Sequence, residues 1–237
     1  MIRKQKAMNI SYVRSVRDNM AILDDLKLDD SSISFERQFI ACFCVDTSAS
    51  MNDFNKIDKL NDALRSYIEK NSHEIKMADT LNLAIVSFGG PKAKVIQAFE
   101  NIKKIKYKKL EADGMTVMGD GVNKAIDLLI EEKSKWNARG NKTYRPLLII
   151  ISDGVSTDDL SKAIERENEL VSNHKLNVVC VGINVDDDEN AKNDLKKFCP
   201  NSEVKTLKEF ELEKFTEYIS RSIEGVSSDF IGADLEL

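Results

Sequence analysis

The chain has 237 residues, of which 42% are hydrophobic and 32% are charged, and its 35 Lys and Arg against 40 Asp and Glu give a formal charge of −5. This composition is too apolar for a disordered chain and too interrupted by charge for a membrane protein, so a soluble globule is expected. The acidic balance argues against binding to nucleic acid or to an anionic membrane, because both require a basic surface.

The first 35 residues differ from the rest of the chain. Val13, Val16, Met20 and Leu23 are spaced as one face of a short helix, and a polar, aspartate-rich connector follows. We therefore expect an N-terminal helical arm or extension at residues 1–35. A weakly patterned tail is expected at residues 225–237.

Between these ends, apolar runs alternate with amphipathic segments. Nearly unbroken apolar runs predict buried strands at residues 39–45, 81–88, 147–151 and 178–183. Apolar residues three and four positions apart predict helices at residues 57–68, 122–130, 160–171 and 212–223. Strands covered on both faces and alternating with helices are typical of parallel sheets.

One turn signal interrupts this alternation. Gly89-Gly90-Pro91 separates the run that ends at Phe88 from a shorter one around Val95, which predicts a hairpin. The expected fold of residues 36–224 is therefore an α/β domain with a doubly wound, mostly parallel sheet, one antiparallel edge strand and helices on both faces.

The cysteine pattern bears on the compartment. No two of the four cysteines form a Cys-x-x-Cys pair, and none lies at zinc spacing from a histidine. Three of them lie within apolar runs, which favours buried thiols in a reducing environment. No signal-peptide pattern and no long apolar run is found, so we expect a cytoplasmic protein.

Candidate functional residues follow the predicted strands, where open α/β sheets bind their ligands. The first strand runs into Asp46, Ser48 and Ser50, and a later strand runs into Asp153. Thr116 lies in a glycine-rich loop before the second long helix. Two carboxylates with three hydroxyls and no His or Cys form an oxygen-only set, which favours Mg²⁺, Mn²⁺ or Ca²⁺ over zinc.

This motif, Asp46-x-Ser48-x-Ser50 with Thr116 and Asp153, resembles the metal-ion-dependent adhesion site of von Willebrand factor A (VWA) domains. The resemblance covers about residues 36–224 and includes all five signature positions in the order of the family. It implies that Ser48, Ser50 and Thr116 ligate the metal directly and that Asp46 and Asp153 act largely through water. It also implies that an Asp or Glu of a protein partner completes the coordination.

A narrower resemblance concerns the segment Tyr144-Arg145-Pro146-Leu147 and the loop that starts at Ser152. It is similar to the bacterial type associated with tellurite resistance and phosphorylation-linked stress operons. Ala49 stands where the family usually has Gly, so the first loop must avoid a positive φ at this position. Ser156 stands where that bacterial type usually has Pro.

Three alternatives remain at this stage. Asp46 and Asp153 could cap the helices that follow them, and Thr157 is expected to be such a cap. The protein could instead be a Mg²⁺-dependent phosphohydrolase or phosphotransferase, although the acid-rich type of that enzyme needs a carboxylate where this chain has Ser48. It could also be the regulatory subunit of an ATP-driven complex. We favour a non-enzymatic, metal-dependent protein-interaction module.

Overall fold

The computed structural model describes residues 37–200, 204–207 and 212–228. Its strands are β1 (Phe39–Asp46), β2 (Leu81–Phe88), β3 (Lys94–Asn101), β4 (Leu147–Ser152), β5 (Asn177–Ile183) and β6 (Lys205–Leu207). Its α-helices are α1 (Lys56–Ser72), α2 (Ile75–Ala78), α3 (Met118–Ala138), α4 (Ser161–Ser172), α5 (Glu189–Lys196) and α6 (Leu212–Ser228). Short 3₁₀ segments cover Ala49–Asn55 and Ile102–Lys104.

The strands form one sheet in the order β3-β2-β1-β4-β5-β6. All neighbouring pairs are parallel except β2 and β3, which pair antiparallel across the predicted Gly-Gly-Pro turn. The predicted fold class is therefore confirmed, including the single antiparallel edge strand. A sixth strand, β6, was not predicted, because three residues are too few to give a periodic signal.

Both faces of the sheet are covered by helices. Along β1, Ala41, Phe43 and Val45 point to one face, where they pack with residues of α1 and α6. The alternate residues of β1 point to the other face and pack against α3, α4 and α5. Because neighbouring residues of a strand point to opposite faces, burial on both sides requires the unbroken apolar runs seen in the sequence.

The order of the strands fixes where a ligand can bind. From β1 the chain adds β2 and β3 on one side, and it then crosses to β4 on the other side. The connections that leave the carboxyl ends of β1 and β4 therefore diverge, and they leave a crevice at that edge of the sheet. Asp46 ends β1 and Ser152 ends β4, so both residues border this crevice.

The ends of the chain add three observations. Contacts divide the chain into Met1–Phe35 and Glu36–Leu237, and the predicted arm at 1–35 lies outside the described residues. Helix α6 continues to Ser228, beyond the position where the tail was expected to begin. In the described ranges, no helix combines the length and apolar character needed to cross a bilayer.

Candidate metal site at the carboxyl edge of the sheet

Asp46 is the most deeply buried carboxylate of the candidate site. The residue is 0% exposed, and its two oxygens accept hydrogen bonds from the loop after β1 and from the last residue of β4. The backbone N–H of Ser48 donates to Oδ1 at 2.8 Å, and the hydroxyl of Ser152 donates to Oδ2 at 2.5 Å. Burial raises the pKa of Asp46 to about 6, against the opposing effect of the hydrogen bonds from Ser152 and Ser48.

A second group of oxygens links the loop after β1 to the loop after β4. The hydroxyls of Ser48 and Ser50 lie 3.1 Å apart, and the hydroxyl of Ser50 donates to Oδ1 of Asp153 at 2.8 Å. The other carboxylate oxygen of Asp153 accepts a hydrogen bond from the ammonium group of Lys56, the first residue of α1. The Asp153 side chain is 0% exposed and that of Lys56 is 10% exposed. This arrangement is therefore a buried ion pair next to two hydroxyls.

The loop that carries Thr116 lies against both of these segments. Its Gly114 carbonyl accepts from the N–H of Ala49 at 3.0 Å. The carbonyl of Thr116 accepts from the backbone N–H of Thr157 at 2.8 Å and from its hydroxyl at 3.0 Å. Ala49 is not among the described residues with positive φ, as its side chain requires. Thr116 is buried at the same edge of the sheet.

The five predicted residues thus meet at one edge, although not in equal degree. Asp46, Ser48, Ser50 and Asp153 are joined by hydrogen bonds within the site. The Thr116 hydroxyl donates to no described residue, and only its carbonyl is engaged. Within the described ranges, no three His, Cys, Asp or Glu side chains gather as a metal site, so any metal here must rely on hydroxyl oxygens as well as the two carboxylates.

The family model of the von Willebrand factor type A domain matches residues 42–219. The chain belongs to this family. Its fold is similar to the von Willebrand factor domain of the type V pili tip protein Mfa5 from Porphyromonas gingivalis. The two are 11% identical, with a TM-score of 0.61, and the match covers 81% of this chain and 96% of that one.

Two other structures with VWA-like folds are longer than this chain. A mutant of the PilB minor pilin from Streptococcus sanguinis is 15% identical, with a TM-score of 0.54, and the match covers 85% of this chain and 65% of that one. Proximal thread matrix protein 1 from the mussel byssus, with zinc in its metal-ion-dependent adhesion site (MIDAS) motif, is 16% identical, with a TM-score of 0.50. The match covers 80% of this chain and 45% of that one. No curated protein matches significantly. At these identities the structures establish the fold alone.

The structure of this VWA domain corrects the expected role of Thr157, which does not cap a helix. It instead holds the Thr116 loop, and Asp158 caps α3 by accepting from the N–H groups of Gly119 and Asp120, both at 2.9 Å. The helix-cap alternative for Asp46 and Asp153 is also wrong. The carboxylate of Asp46 bonds within its own loop and to Ser152, and Asp153 lies eight residues before the start of α4 at Ser161.

Two residues of this edge were missed from the sequence. Ser152 resembles an ordinary strand end, yet the parallel register pairs Val45 with Ile151 and so sets Ser152 beside Asp46. That register is set by the folded sheet, so the sequence of the two strands carries no signal for this contact. Lys56 begins a helix, where lysine is normally solvated, and nothing in the local sequence shows that its ammonium group reaches Asp153.

Proposed function

We propose that this VWA domain is a metal-dependent protein-interaction module and not an enzyme. Asp46, Ser48, Ser50, Thr116 and Asp153 would hold a divalent cation, Mg²⁺ or else Mn²⁺ or Ca²⁺. The observation that carries the proposal is the partly buried chain of oxygens from Ser48 through Ser50 to Asp153, set at the crevice between β1 and β4.

The spacing of these oxygens supports a small hard ion. Octahedral Mg²⁺ with bonds of 2.0–2.1 Å has neighbouring ligand oxygens about 2.9 Å apart. The two serine hydroxyls are 3.1 Å apart, and the next step to Asp153 is 2.8 Å. The two serine hydroxyls can therefore lie on adjacent corners of such an octahedron with little movement, and Asp153 lies next to them, where its charge can act on the ion through water. The lack of nitrogen and sulfur donors among the five residues disfavours zinc.

The charge of the site supports a protein partner. Two carboxylates and three neutral hydroxyls leave a bound divalent cation open to one more anionic oxygen. The bound cation would supply a bridge to an Asp or Glu of the partner. Hydrogen bonds from Ser48 and Ser152 hold Asp46 in place, so its carboxylate would act as a fixed negative charge next to the serine hydroxyls that bind the cation.

The proposal that this domain is not an enzyme rests on the residue types at the carboxyl edge of the sheet. A phosphotransferase of the acid-rich type would need a second carboxylate two residues after Asp46, and Ser48 occupies that position.

We further propose that the domain acts in a bacterial stress-response or phosphorylation-linked assembly, because of the resemblance around Tyr144 and Arg145. A cytoplasmic location is supported by four buried cysteines without disulfides.

An affinity capture from the native host tests this function. The wild-type domain is immobilised and exposed to lysate in Mg²⁺, in EDTA, and in EDTA followed by excess Mg²⁺. We expect the partner to be retained, released and recovered in that order. Thr116→Ala should keep the charge of the site but hold the partner poorly, because one proposed direct oxygen is lost. A partner that is indifferent to EDTA would contradict the bridging role.

A further inference from the structure

Lys56 places a positive charge inside the candidate metal site. Its ammonium group contacts Oδ2 of Asp153, and only 10% of its side chain is exposed. Lysine is almost never buried to this extent unless it is paired. Both oxygens of Asp153 are thereby engaged, one by Ser50 and one by Lys56.

The backbone before Lys56 is bent in an uncommon way. Phe54 and Asn55 have φ values of 53° and 56°, the left-handed region that a bulky residue such as Phe rarely adopts. Phe54 is 82% exposed, so no packing of its ring accounts for the turn. Helix α1 begins directly after this turn, and its first residue reaches back to the carboxyl edge of the sheet. Unusual backbone of this kind is concentrated at functional sites.

We propose that Lys56 is a resident cation that competes with the divalent metal ion for Asp153. This inference rests on the proposed function and concerns the regulation of the same site. In the lysine-bound form, the ammonium group neutralises Asp153 and leaves the domain intact without metal. In the metal-bound form, the ammonium group withdraws and Asp153 faces the metal ion.

Charge explains why the two cations exclude one another. A divalent ion at Ser48, Ser50 and Asp153 would lie close to the ammonium group, in a region where solvent screens charges weakly. The long, flexible stem of lysine allows its ammonium group to move to solvent while the stem stays packed. Lys56 therefore sets the metal concentration at which the site becomes able to bind a partner.

Calorimetric titration with Mg²⁺ and with Mn²⁺ tests the competition. Lys56→Met keeps an unbranched side chain but removes the charge, and we expect metal affinity to rise about 10-fold to 100-fold, the scale of other effects from groups next to a metal's ligands. Lys59→Met is the matched control, because Lys59 is on the same helix, is half-buried and forms no ion pair with a described residue. It should bind metal as the wild type does.

A second measurement follows the lysine itself. Acetylation by a soluble active ester, read by mass spectrometry, should modify Lys56 slowly in metal-free wild type and at least several-fold faster in Mg²⁺. Lys59 should react equally in both conditions. Because this readout uses the unaltered protein, it does not depend on how any variant folds.

The outcomes separate the two proposals. Two outcomes would overturn the proposed competition but leave the metal site in place. One is equal metal affinity of the wild type and Lys56→Met, and the other is an acetylation rate of Lys56 that does not change when the wild type binds metal. Weaker metal binding by Lys56→Met also overturns it and makes Lys56 a positioning residue for Asp153. Absence of metal binding in wild type and both variants overturns the proposed function, and the inference with it.

Discussion

Ser152 and Asp46 join the ends of the two central strands, since the hydroxyl of Ser152 donates to Oδ2 of Asp46 at 2.5 Å. The two residues are 106 positions apart in the chain and both are 0% exposed. Asp46 also accepts the N–H of Ser48, so its charge is met on both oxygens within the protein. The pair fixes the deepest charge of the site before any ion is bound.

Ser152→Ala is expected to destabilise the domain. A hydrogen bond to a charged group contributes about 1.5–3 kcal/mol, and its loss leaves one oxygen of a buried carboxylate without its donor. The free energy of unfolding in urea measures the effect. Ser134→Ala, on the exposed surface of α3, is the control and should change stability by less than about 0.5 kcal/mol. Equal stabilities of the two variants would show that the hydrogen bond from Ser152 to Asp46 does not contribute measurably to the free energy of unfolding.

The same contact shows what the sequence could and could not predict. The sequence could predict Asp46, Ser48, Ser50 and Asp153 as site residues, because residues that follow parallel strands converge at one edge of the sheet, whatever the register. Ser152 was not, because its contact depends on how β1 and β4 are aligned. A shift of one residue would point its side chain to the opposite face.

Lys56 and Thr157 were missed for a different reason. Both residue types have an ordinary local explanation, a solvated lysine in a first helical turn and a threonine cap. Their actual contacts, with Asp153 and with the carbonyl of Thr116, reach across 97 and 41 residues. Local patterns carry no information about contacts of that kind, whereas the fold class follows from the apolar periods alone.

Asp153→Asn is expected to weaken Mg²⁺ and Mn²⁺ binding about 10-fold to 100-fold, because it removes a unit of negative charge beside the proposed ion. The domain should stay folded, since the amide is nearly the same size and the residue follows the strand instead of lying within it. Calorimetric titration measures affinity, and circular dichroism checks the fold.

The control for this change is Asp187→Asn, which removes the same charge at an exposed position that makes no side-chain contact with a described residue. It should bind metal like the wild type. Unaltered binding by Asp153→Asn would show that Asp153 does not belong to the metal site. An equal loss in both variants would show that metal binding responds only to the overall charge of the protein.

Gly114→Ala is expected to disturb the loop that leads to Thr116. Gly114 has a φ of +76°, and an added Cβ would lie 2.3 Å from the Cα of Gly90, closer than atoms can approach. Gly140 is a matched position because its φ is +77° and an added Cβ there has nothing within 4 Å. Both changes carry the strain of positive φ, but only the first carries the clash.

Urea unfolding should therefore show Gly114→Ala to be less stable than Gly140→Ala, by about 1–3 kcal/mol for overpacking. Metal affinity should also fall in Gly114→Ala alone, because the carbonyl of Gly114 holds the N–H of Ala49 between the two serines. Two variants of equal stability and affinity would show that the loop relaxes freely, and that its position is not coupled to the site.

Glu167 should make the stability of the domain depend on pH. It lies on α4 with 1% exposure, and its Oε2 has no hydrogen-bond partner among the described residues. Burial raises the pKa of Glu167 to about 7, above an ordinary value of 4.5. Because the raised pKa favours the protonated form in the folded state, its contribution to stability is complete below about pH 4.5 and is lost as the pH rises through 7.

Glu167→Gln keeps the shape of the side chain and cannot ionise, so it should remove this dependence. Near pH 5 its melting temperature should lie close to that of the wild type. By pH 8 it should be the more stable protein by about 2 kcal/mol, or roughly 5 °C, because the wild type then carries a buried charge. Glu165→Gln, an exposed change on the same helix, should track the wild type at every pH. A constant difference between Glu167→Gln and wild type from pH 5 to 8 would mean that Glu167 ionises at its ordinary pKa and that its surroundings are wetter than its burial implies.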